Sequence, residues 1–355
     1  MLTRAAVLLL LVLAYLSGPV TGASAQDPGT APSYDELPVG APTTLPWWQA
    51  GRLHVGDTVL RTRRSDIVSR GGTTLVATGE EDRLGRDTRW FLVQGSRLRK
   101  LPMHTRAQQP LVSADGRWIA WREVRAPRTD AYERFERYRV VLYDVRRHRV
   151  ANRFRDRRLV EWEDGGNGIW LRTLSNRGRL VLSRGSDGVQ VLSPRGRPVR
   201  FRGPQVGNGV EPDGWPGGTT VYRSRSETSV YGEVRRNGRF TRVGRTTAPF
   251  SGLWSTRGSG YAYEVDGYDA DGDRTSSYRV RPLRGATVRL RVPADDHGFR
   301  VVGWETDEDL VLWSFDDGSE APASRLVRCS ATSGACERVT GGPRDDAPAT
   351  MSSRY

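Results

Sequence analysis

Residues Pro110–Trp121, with the sequence PLVSADGRWIAW, decide the fold class of this chain. Val112 ends a short apolar stretch, Asp115-Gly116 is a turn dipeptide, and Trp118–Trp121 is a second, strongly apolar stretch. Asp followed by Gly supplies the side-chain-to-backbone hydrogen bond and the positive φ that tight turns need. The segment therefore predicts a β-hairpin whose second strand is covered on both faces.

Imperfect copies of this hairpin recur along the chain. The ten-residue frame from Val112 (VSADGRWIAW) is matched without gaps by frames that start at Val68, Trp162, Trp254 and Trp304, and a looser copy ends at Tyr222. The frames lie about 40 to 53 residues apart, which is the spacing expected for four-stranded propeller blades. A second hairpin with stronger polar–apolar alternation follows each frame, so each repeat predicts four antiparallel strands.

The two ends of the repeat region predict how the fold closes. Six full four-stranded units can be counted, and Arg52–Arg61 reads as an outer hairpin that lacks an inner pair. Thr350–Tyr355 is the only part of the tail that could add a strand. N-terminal strands that complete the last blade would remove exposed sheet edges. The sequence thus predicts an all-β fold over residues 47–340. The predicted fold is a β-propeller of six full antiparallel four-stranded blades, with a partial or absent seventh, and the N-terminal hairpin is expected to close it. Residues 341–355 are predicted to form a polar tail.

The residues before the repeats are predicted to lie outside the propeller. Arg4 and the apolar run Ala5–Leu16 precede an A-x-A cleavage motif at Ala23–Ala25, so residues 1–25 read as a secretory signal peptide. An uncleaved signal anchor is the alternative, and no later segment is apolar enough to span a bilayer. Residues 26–46 are rich in Pro, Gly, Ala and Thr and lack periodicity, which predicts a flexible leader. The mature protein is therefore expected to be secreted.

The best-preserved frame carries a resemblance to a known repeat. The residues concerned are Pro110, Ser113, Asp115, Gly116, Ile119, Ala120 and Trp121. In this order and spacing they resemble the repeat of TolB-type β-propellers, a WD-repeat-like architecture, and degenerate copies extend the resemblance over roughly the whole repeat region. The resemblance implies a closed propeller that binds proteins or other ligands on its rims, and it transfers no catalytic residues. The leader, the repeats and the closing Cys hairpin also resemble secreted actinobacterial propeller proteins, many without an assigned function.

The chain is strongly basic. Its formal net charge is +14, and Lys100 is the single lysine among 55 basic residues. Near-complete use of Arg in place of Lys is typical of a GC-rich genome, and attraction to an anionic cell envelope is the functional alternative. The arginines are scattered among acidic residues, and no zinc-finger, helix-turn-helix or RNA-binding sheet pattern occurs. Nucleic acid is therefore not the expected partner.

Two cysteines and four aspartates are candidate structural or metal sites. Cys329 and Cys336 flank Ser333-Gly334 on opposite arms of the last hairpin, which in an exported chain predicts a disulfide. The candidate calcium loop contains Asp266, Asp269, Asp271 and Asp273. Its spacing departs from the calcium-loop pattern, because Arg274 stands where the loop requires Gly. A solvated acidic hairpin loop is the alternative, and no other cofactor or metal is expected.

No catalytic set is recognisable from the spacing of reactive residues. The histidines are His54, His104, His148 and His297, and no two of them have metal-ligand spacing. The paired acids Glu161/Glu163 and Glu305–Asp309 are candidates for glycosidase-like chemistry, with solvated carboxylates as the alternative. Propeller enzymes assemble sites from distant loops, so spacing leaves catalysis open. The Trp47-Trp48 pair is interpreted as packing, with a ligand-stacking platform as the alternative.

The sequence favours a binding function. The expected protein is a secreted, monomeric, non-catalytic propeller that binds a protein, a peptide or a cell-envelope polymer on its rim or in its channel. The alternative is an extracellular hydrolase or lyase that acts on glycans or peptides. A weaker third hypothesis is purely electrostatic attachment to the envelope.

Overall fold

The computed structural model describes most of the chain from Pro32 onward, and residues Pro32–Tyr355 form one compact unit. The described residues are 32–63, 66–78, 88–103, 110–130, 133–155, 160–161, 169–184, 189–199, 212–215, 218–224, 227–232, 242–246, 252–255, 259–268, 274–282, 285–293, 298–315, 325–342 and 349–351.

The described part of the chain begins with a short helix and four strands that belong to the last two sheets. A 3₁₀ helix covers Tyr34–Glu36. The strands are β1 (Val39–Pro42), β2 (Trp47–Gln49), β3 (Arg52–Val55) and β4 (Thr58–Arg61).

The next three sheets each take four consecutive strands. Sheet 1 contains β5 (Ile67–Arg70), β6 (Thr73–Thr78), β7 (Arg89–Gln94) and β8 (Arg97–Lys100). Sheet 2 contains β9 (Leu111–Val112), β10 (Trp118–Asp130), β11 (Glu133–Asp144) and β12 (Arg149–Arg155), and β13 (Val160–Glu161) pairs with β11. Sheet 3 contains β14 (Ile169–Leu174), β15 (Leu180–Arg184), β16 (Val189–Leu192) and β17 (Pro198–Val199).

The remaining four sheets complete the described strands. Sheet 4 contains β18 (Pro212–Trp215), β19 (Gly218–Ser224), β20 (Glu227–Gly232) and β21 (Arg242–Thr246). Sheet 5 contains β22 (Gly252–Trp254), β23 (Gly260–Tyr268), β24 (Arg274–Pro282) and β25 (Val288–Arg289). Sheet 6 contains β26 (Gly298–Trp304), β27 (Asp309–Phe315), β28 (Leu326–Ser330) and β29 (Cys336–Thr340), with β1 parallel to β29. Sheet 7 has the order β30 (Ala349–Met351), β2, β3, β4.

The core lies between consecutive sheets. One cluster joins Leu75 and Trp90 of sheet 1 to Ile119 and Trp121 of sheet 2. Equivalent clusters join sheets 2 and 3, 5 and 6, 6 and 7, and 7 and 1. Strands such as β6 and β27 therefore bury both faces against neighbouring sheets, as their continuous apolar sequences predict. Small antiparallel sheets that stack face to face in chain order form a β-propeller.

One predicted frame is out of register. Residues 162–168 of the Trp162 frame lie outside the described residues, and Ile169–Leu174 is the first strand of its sheet, not the second. The first hairpin of sheet 3 turns at Ser175–Gly178, so the matching frame starts at Leu174 and reads LSNRGRLVLS. The Gly165-Gly166 pair imitates the expected turn dipeptide, which explains the error. The frames from Val68, Val112, Trp254 and Trp304 coincide with first hairpins of their sheets.

Part of the predicted flexible leader packs on the propeller. Within residues 32–46, Leu37 is buried and β1 pairs in parallel with β29. β1 pairs with a strand that lies about 300 residues later in the sequence. The sequence of the leader therefore contains no periodic pattern that would predict this pairing. At the other end of the chain, β30 pairs with β2.

Within the described residues, the structure contains no helix with the length and hydrophobicity that a membrane crossing requires.

Candidate functional site

The repeat residues form the turn between β9 and β10. The Ser113 hydroxyl donates to Asp115 Oδ1 at 2.7 Å, and the Arg117 N–H donates to the same oxygen at 3.1 Å. The Trp118 N–H in turn donates to Ser113 Oγ at 2.9 Å. Ile119, Ala120 and Trp121 are fully buried. Asp115 Oδ1 therefore fixes the turn that starts the buried strand.

This turn also joins its neighbours. The Thr73 hydroxyl of sheet 1 donates to the Gly116 carbonyl at 2.7 Å. On the other side, the Asp115 N–H donates to Asn176 Oδ1 at 3.0 Å, and the Trp118 indole N–H donates to the Asn176 carbonyl at 3.1 Å. The first turns of sheets 1, 2 and 3 thus form a continuous hydrogen-bonded row. In this row the repeat residues perform a structural role.

The Cys329 and Cys336 side chains form a disulfide. The two residues are register partners on β28 and β29, with 4.1 Å between their Cα atoms. Both are buried in the cluster shared by sheets 5 and 6. The bond therefore links the last two antiparallel strands of sheet 6.

Replacing both cysteines with alanine is expected to lower the free energy of unfolding by about 2 kcal/mol, because a short closed loop constrains the unfolded chain only modestly. Urea unfolding of the oxidised protein and of the variant measures this difference. Reduced wild-type protein is the matched control and should unfold close to the variant. Equal midpoints for oxidised and reduced wild type would show that the bond does not stabilise the fold.

The acidic candidate Glu305 is committed to a buried ion pair. Arg328 Nε donates to Glu305 Oε2 at 2.6 Å, and the Thr43 hydroxyl donates to Oε1 at 2.6 Å. Burial alone would raise the pKa of Glu305, but these donors outweigh it and hold the pKa below its ordinary value. Asp309 accepts a hydrogen bond from Thr306. Glu163 lies outside the described residues.

A second buried ion pair lies in sheet 2. Glu123 is fully buried, accepts from the Trp121 indole N–H at 2.8 Å, and pairs with Arg139. The two residues are register partners, but their sequence spacing gives no sign of the pair. A Glu in β10 opposite an Arg in β11 would indicate an ion pair, but this relation can be recognised only when the register of the two strands is known.

The two described histidines, His54 and His148, make packing and hydrogen-bond contacts within the fold. His54 stacks on Trp47 with ring centroids 3.7 Å apart. Burial lowers the pKa of His54, and the positive charge of Arg52 lowers it further. His148 adopts a positive φ in a turn, and its Nδ1 lies 3.1 Å from Gln94 Nε2. His104 and His297 lie outside the described residues. Trp47 itself is 8% exposed, which matches packing better than a ligand platform.

The candidate calcium loop falls largely outside the described residues. Asp269, Asp271 and Asp273 belong to that part, and Asp266 lies in β23. No cluster of three or more metal-ligating side chains occurs among the residues with a described placement. Calcium binding at this loop therefore stays a prediction.

The fourth strands of the sheets carry charge of almost a single sign. We call the fourth strand of each sheet its outer strand, namely β4, β8, β12, β17, β21, β25 and β29, although in sheet 6 the uncharged β1 lies outside β29. On these strands basic residues outnumber acidic ones by eleven to one. The basic residues are Arg61, Arg97, Arg99, Lys100, Arg149, Arg153, Arg155, Arg242, Arg245, Arg289 and Arg338, and the acidic residue is Glu337. The whole chain has 55 basic and 41 acidic residues, so the outer strands are strongly enriched.

Register places some of these arginines opposite one another. Arg52 pairs with Arg61 across β3 and β4, and Arg279 pairs with Arg289 across β24 and β25. All four are exposed. Directly opposed like charges destabilise a sheet, whereas two guanidinium groups on one face suit a shared anion. The basic outer strands are therefore the candidate binding surface.

Sequence reasoning missed this surface because it judged the arginines to be scattered. The signal that could have found it is position within the repeat. Once four strands are assigned to each unit, the fourth strand is basic in sheets 1, 2 and 4. Linear spacing alone mixes these strands with the acidic loops between them.

No family model and no curated protein matches the chain. Among solved structures, it is similar to TolB from Acinetobacter baumannii with 14% identity and a TM-score of 0.38, over 82% of this chain and 66% of that one. It is similar to the β-propeller domain of the Trilobed protease from Pyrococcus furiosus with 11% identity and a TM-score of 0.32, over 78% and 70% of the chains. The tricorn protease is similar with 10% identity and a TM-score of 0.32, over 85% of this chain and 30% of that one.

Proposed function

We propose that this protein is a secreted, non-catalytic β-propeller that binds an anionic cell-envelope polymer through its outer strands. The observation that carries the proposal is the eleven-to-one excess of basic over acidic residues on those strands. A surface of one sign raises the local concentration of an oppositely charged polymer and accelerates its association. Arginine also supplies the planar, bidentate donor that phosphate and carboxylate groups accept.

Protection of sheet edges is a competing explanation for charged outer strands. Charged side chains on an edge strand discourage pairing with another chain. That role is served by charge of either sign, because it depends on hydration and repulsion. It therefore accounts for charged outer strands but leaves the near absence of acidic residues unexplained.

The sheets support a closed ring as the scaffold for this surface. The sequence predicted six full blades with a partial or absent seventh, and we propose that sheet 7 is the closing blade. In it, β30 from the C-terminal region pairs with β2, and the N-terminal strands β3 and β4 follow outward. β30 and β2 then form the inner pair of strands that the sequence did not show for the Arg52–Arg61 hairpin. Closure would leave every outer strand on the circumference, where a long polymer can reach several blades.

Export fits both the sequence and the disulfide. We propose that residues 1–25 are a cleaved signal, and that the propeller begins near residue 47 with the preceding segment packed against sheet 6. A disulfide persists in oxidising, extracytoplasmic compartments. Such a location places the basic circumference next to the polymers of the envelope.

The test is retention of the secreted protein on immobilised anionic polymers. Polyphosphate, polygalacturonate and dextran sulfate beads are compared with neutral dextran beads. We expect saturable retention on at least one anionic polymer, with affinity falling tenfold or more between about 50 and 500 mM salt, because exposed charges are screened over a few ångströms at high salt. Equal retention on neutral dextran, or none on any anionic polymer, would refute the proposal. Shortening of a bound polymer would instead identify the hydrolase or lyase alternative.

A further inference from the structure

We propose that Arg279 and Arg289 form a two-guanidinium clamp for the phosphate groups of a phosphodiester or polyphosphate chain. This inference rests on the proposed function and assigns the chemistry of one site within it. The two residues are direct register partners on β24 and β25 of sheet 5. Register partners across antiparallel strands have Cβ atoms about 4.5 to 5.5 Å apart, so both guanidinium groups can reach one ligand.

The burial pattern places both arginines on the same face of sheet 5, opposite the face that packs on sheet 6. Tyr278, Val280 and Leu290 are buried in the cluster shared with sheet 6. Because neighbouring residues on a strand point to opposite faces, Arg279 and Arg289 lie on the other face. Both side chains are exposed.

In the part of the chain that the structure describes, neither clamp arginine makes a side-chain hydrogen bond or salt bridge to another residue. Two opposed cations without a shared counter-charge destabilise the sheet that holds them. An anion between them reverses the sign of that interaction and gains charge-assisted hydrogen bonds. The pair is therefore better suited to a bound anion than to an empty surface.

Phosphate fits the pair better than carboxylate does. The lone pairs of a carboxylate lie in one plane, so two guanidinium forks must share that plane to bind it. A phosphate group within a chain keeps two non-bridging oxygens. Because the phosphorus is tetrahedral, the lone pairs of these oxygens do not all lie in one plane, so two guanidinium groups can donate to them from different directions. Arginine, not lysine, occupies both positions, as bidentate recognition requires.

A further exposed arginine follows the clamp just beyond the end of β25. This residue, Arg291, lies two residues after Arg289, with buried Leu290 between them. Two residues of extended chain span about 6.6 Å, so Arg291 can contact the next anionic group of a chain. In sheet 7 the exposed Arg63 likewise lies two residues beyond Arg61, but Arg63 already interacts with another residue. This prior engagement favours the pair of sheet 5.

The test compares two double variants that remove the same charge. Arg279→Gln/Arg289→Gln removes the clamp, whereas Arg97→Gln/Arg153→Gln removes two exposed outer-strand arginines that face Gln94 and Val141. Affinity for linear polyphosphate is measured by isothermal titration calorimetry at fixed salt. We expect the clamp variant to lose tenfold or more in affinity and the control variant to lose less than about threefold, because only the clamp makes paired hydrogen bonds to one group.

Thermal unfolding gives a second, independent readout. Without ligand, the clamp variant should unfold at the same temperature as the wild type or higher, because the opposed charges are gone. Polyphosphate should raise the wild-type melting temperature more than that of the clamp variant. This readout also shows that any lost affinity is not caused by misfolding.

The outcomes separate the clamp from the wider proposal. Equal losses in both variants would overturn the clamp and leave diffuse electrostatic binding by the outer strands. Equal loss of polygalacturonate and polyphosphate binding in the clamp variant would overturn the assignment to phosphate. No binding of any polyanion by the wild type would overturn the proposed function itself.

Discussion

The Arg328→Ala variant is expected to lose about 3 to 5 kcal/mol of its free energy of unfolding, because the buried Glu305 carboxylate is left without its counter-charge. The side chains of Arg328 and Glu305 are only 12% and 4% exposed. Arg328 also donates to Glu337 Oε1 at 2.6 Å and to the Pro42 carbonyl at 2.9 Å. One guanidinium group therefore joins sheet 6 to the segment that leads into sheet 7.

The pH dependence gives this prediction a second signature. In the folded wild type the pKa of Glu305 is below its ordinary value, so the pair stabilises the fold above the ordinary carboxyl pKa of about 4.3. That contribution is lost as the pH falls through the lowered pKa. In the variant, burial without the arginine favours the protonated form. The stability deficit should therefore be largest at neutral pH and shrink toward acidic pH.

Arg338→Ala is the matched control. Arg338 contacts the same N-terminal segment, donating to the Leu37 carbonyl and pairing with Asp35, but Asp35 is 89% exposed. An exposed pair contributes about 1 kcal/mol or less. Urea unfolding of both variants between acidic and neutral pH makes the comparison. A deficit for Arg328→Ala no larger than that for Arg338→Ala would show that the buried pair does not hold the segment in place.

Gly116→Ala is expected to cost about 3 kcal/mol, which combines backbone strain with a steric clash. Gly116 has a φ of +66°, a conformation that alanine adopts only with strain. A Cβ added there would overlap the Gly71 carbonyl oxygen and lie 2.7 Å from Thr73 Oγ1. Because the Gly71 carbonyl oxygen belongs to the backbone, the turn at Gly71 or the turn at Gly116 must shift. That shift would break the hydrogen bond from Thr73 to the Gly116 carbonyl.

Gly72→Ala separates the two contributions. Gly72 also has a positive φ, +75°, but a Cβ there would meet no atom within 4 Å. This variant should lose only the conformational part, about 1 to 2 kcal/mol. Chemical unfolding of the two variants gives the difference. Similar losses would mean that the contact between the turns of sheets 1 and 2 can be relaxed without cost.

The sequence by itself determined the fold class and the local turns. Alternation of residues and Asp-Gly or Gly-Gly pairs act over a few positions, so the hairpins at Pro110–Trp121 and Val68–Ala77 follow from local chemistry. The likeness of one frame to another then indicates stacked four-stranded units. The same locality paired Cys329 with Cys336, because a single hairpin turn separates them.

The tertiary structure decided what local chemistry leaves degenerate. Two turn-like segments compete near sheet 3, and Ser175–Gly178 forms the hairpin whose Asn176 binds Asp115 and Trp118 of the preceding sheet. The N-terminal segment forms a strand because β1 pairs with β29, and Arg328 holds it in place by donating to the Pro42 carbonyl.

The candidate binding surface depends on register even more directly. Arg279 and Arg289 are ten positions apart, and nothing in the linear sequence distinguishes them from other arginines. Only strand pairing makes them opposite partners, and only the burial of their neighbours places them on the face opposite sheet 6. Registers and faces arise from interactions between distant segments, so they become visible only when the sheets have assembled.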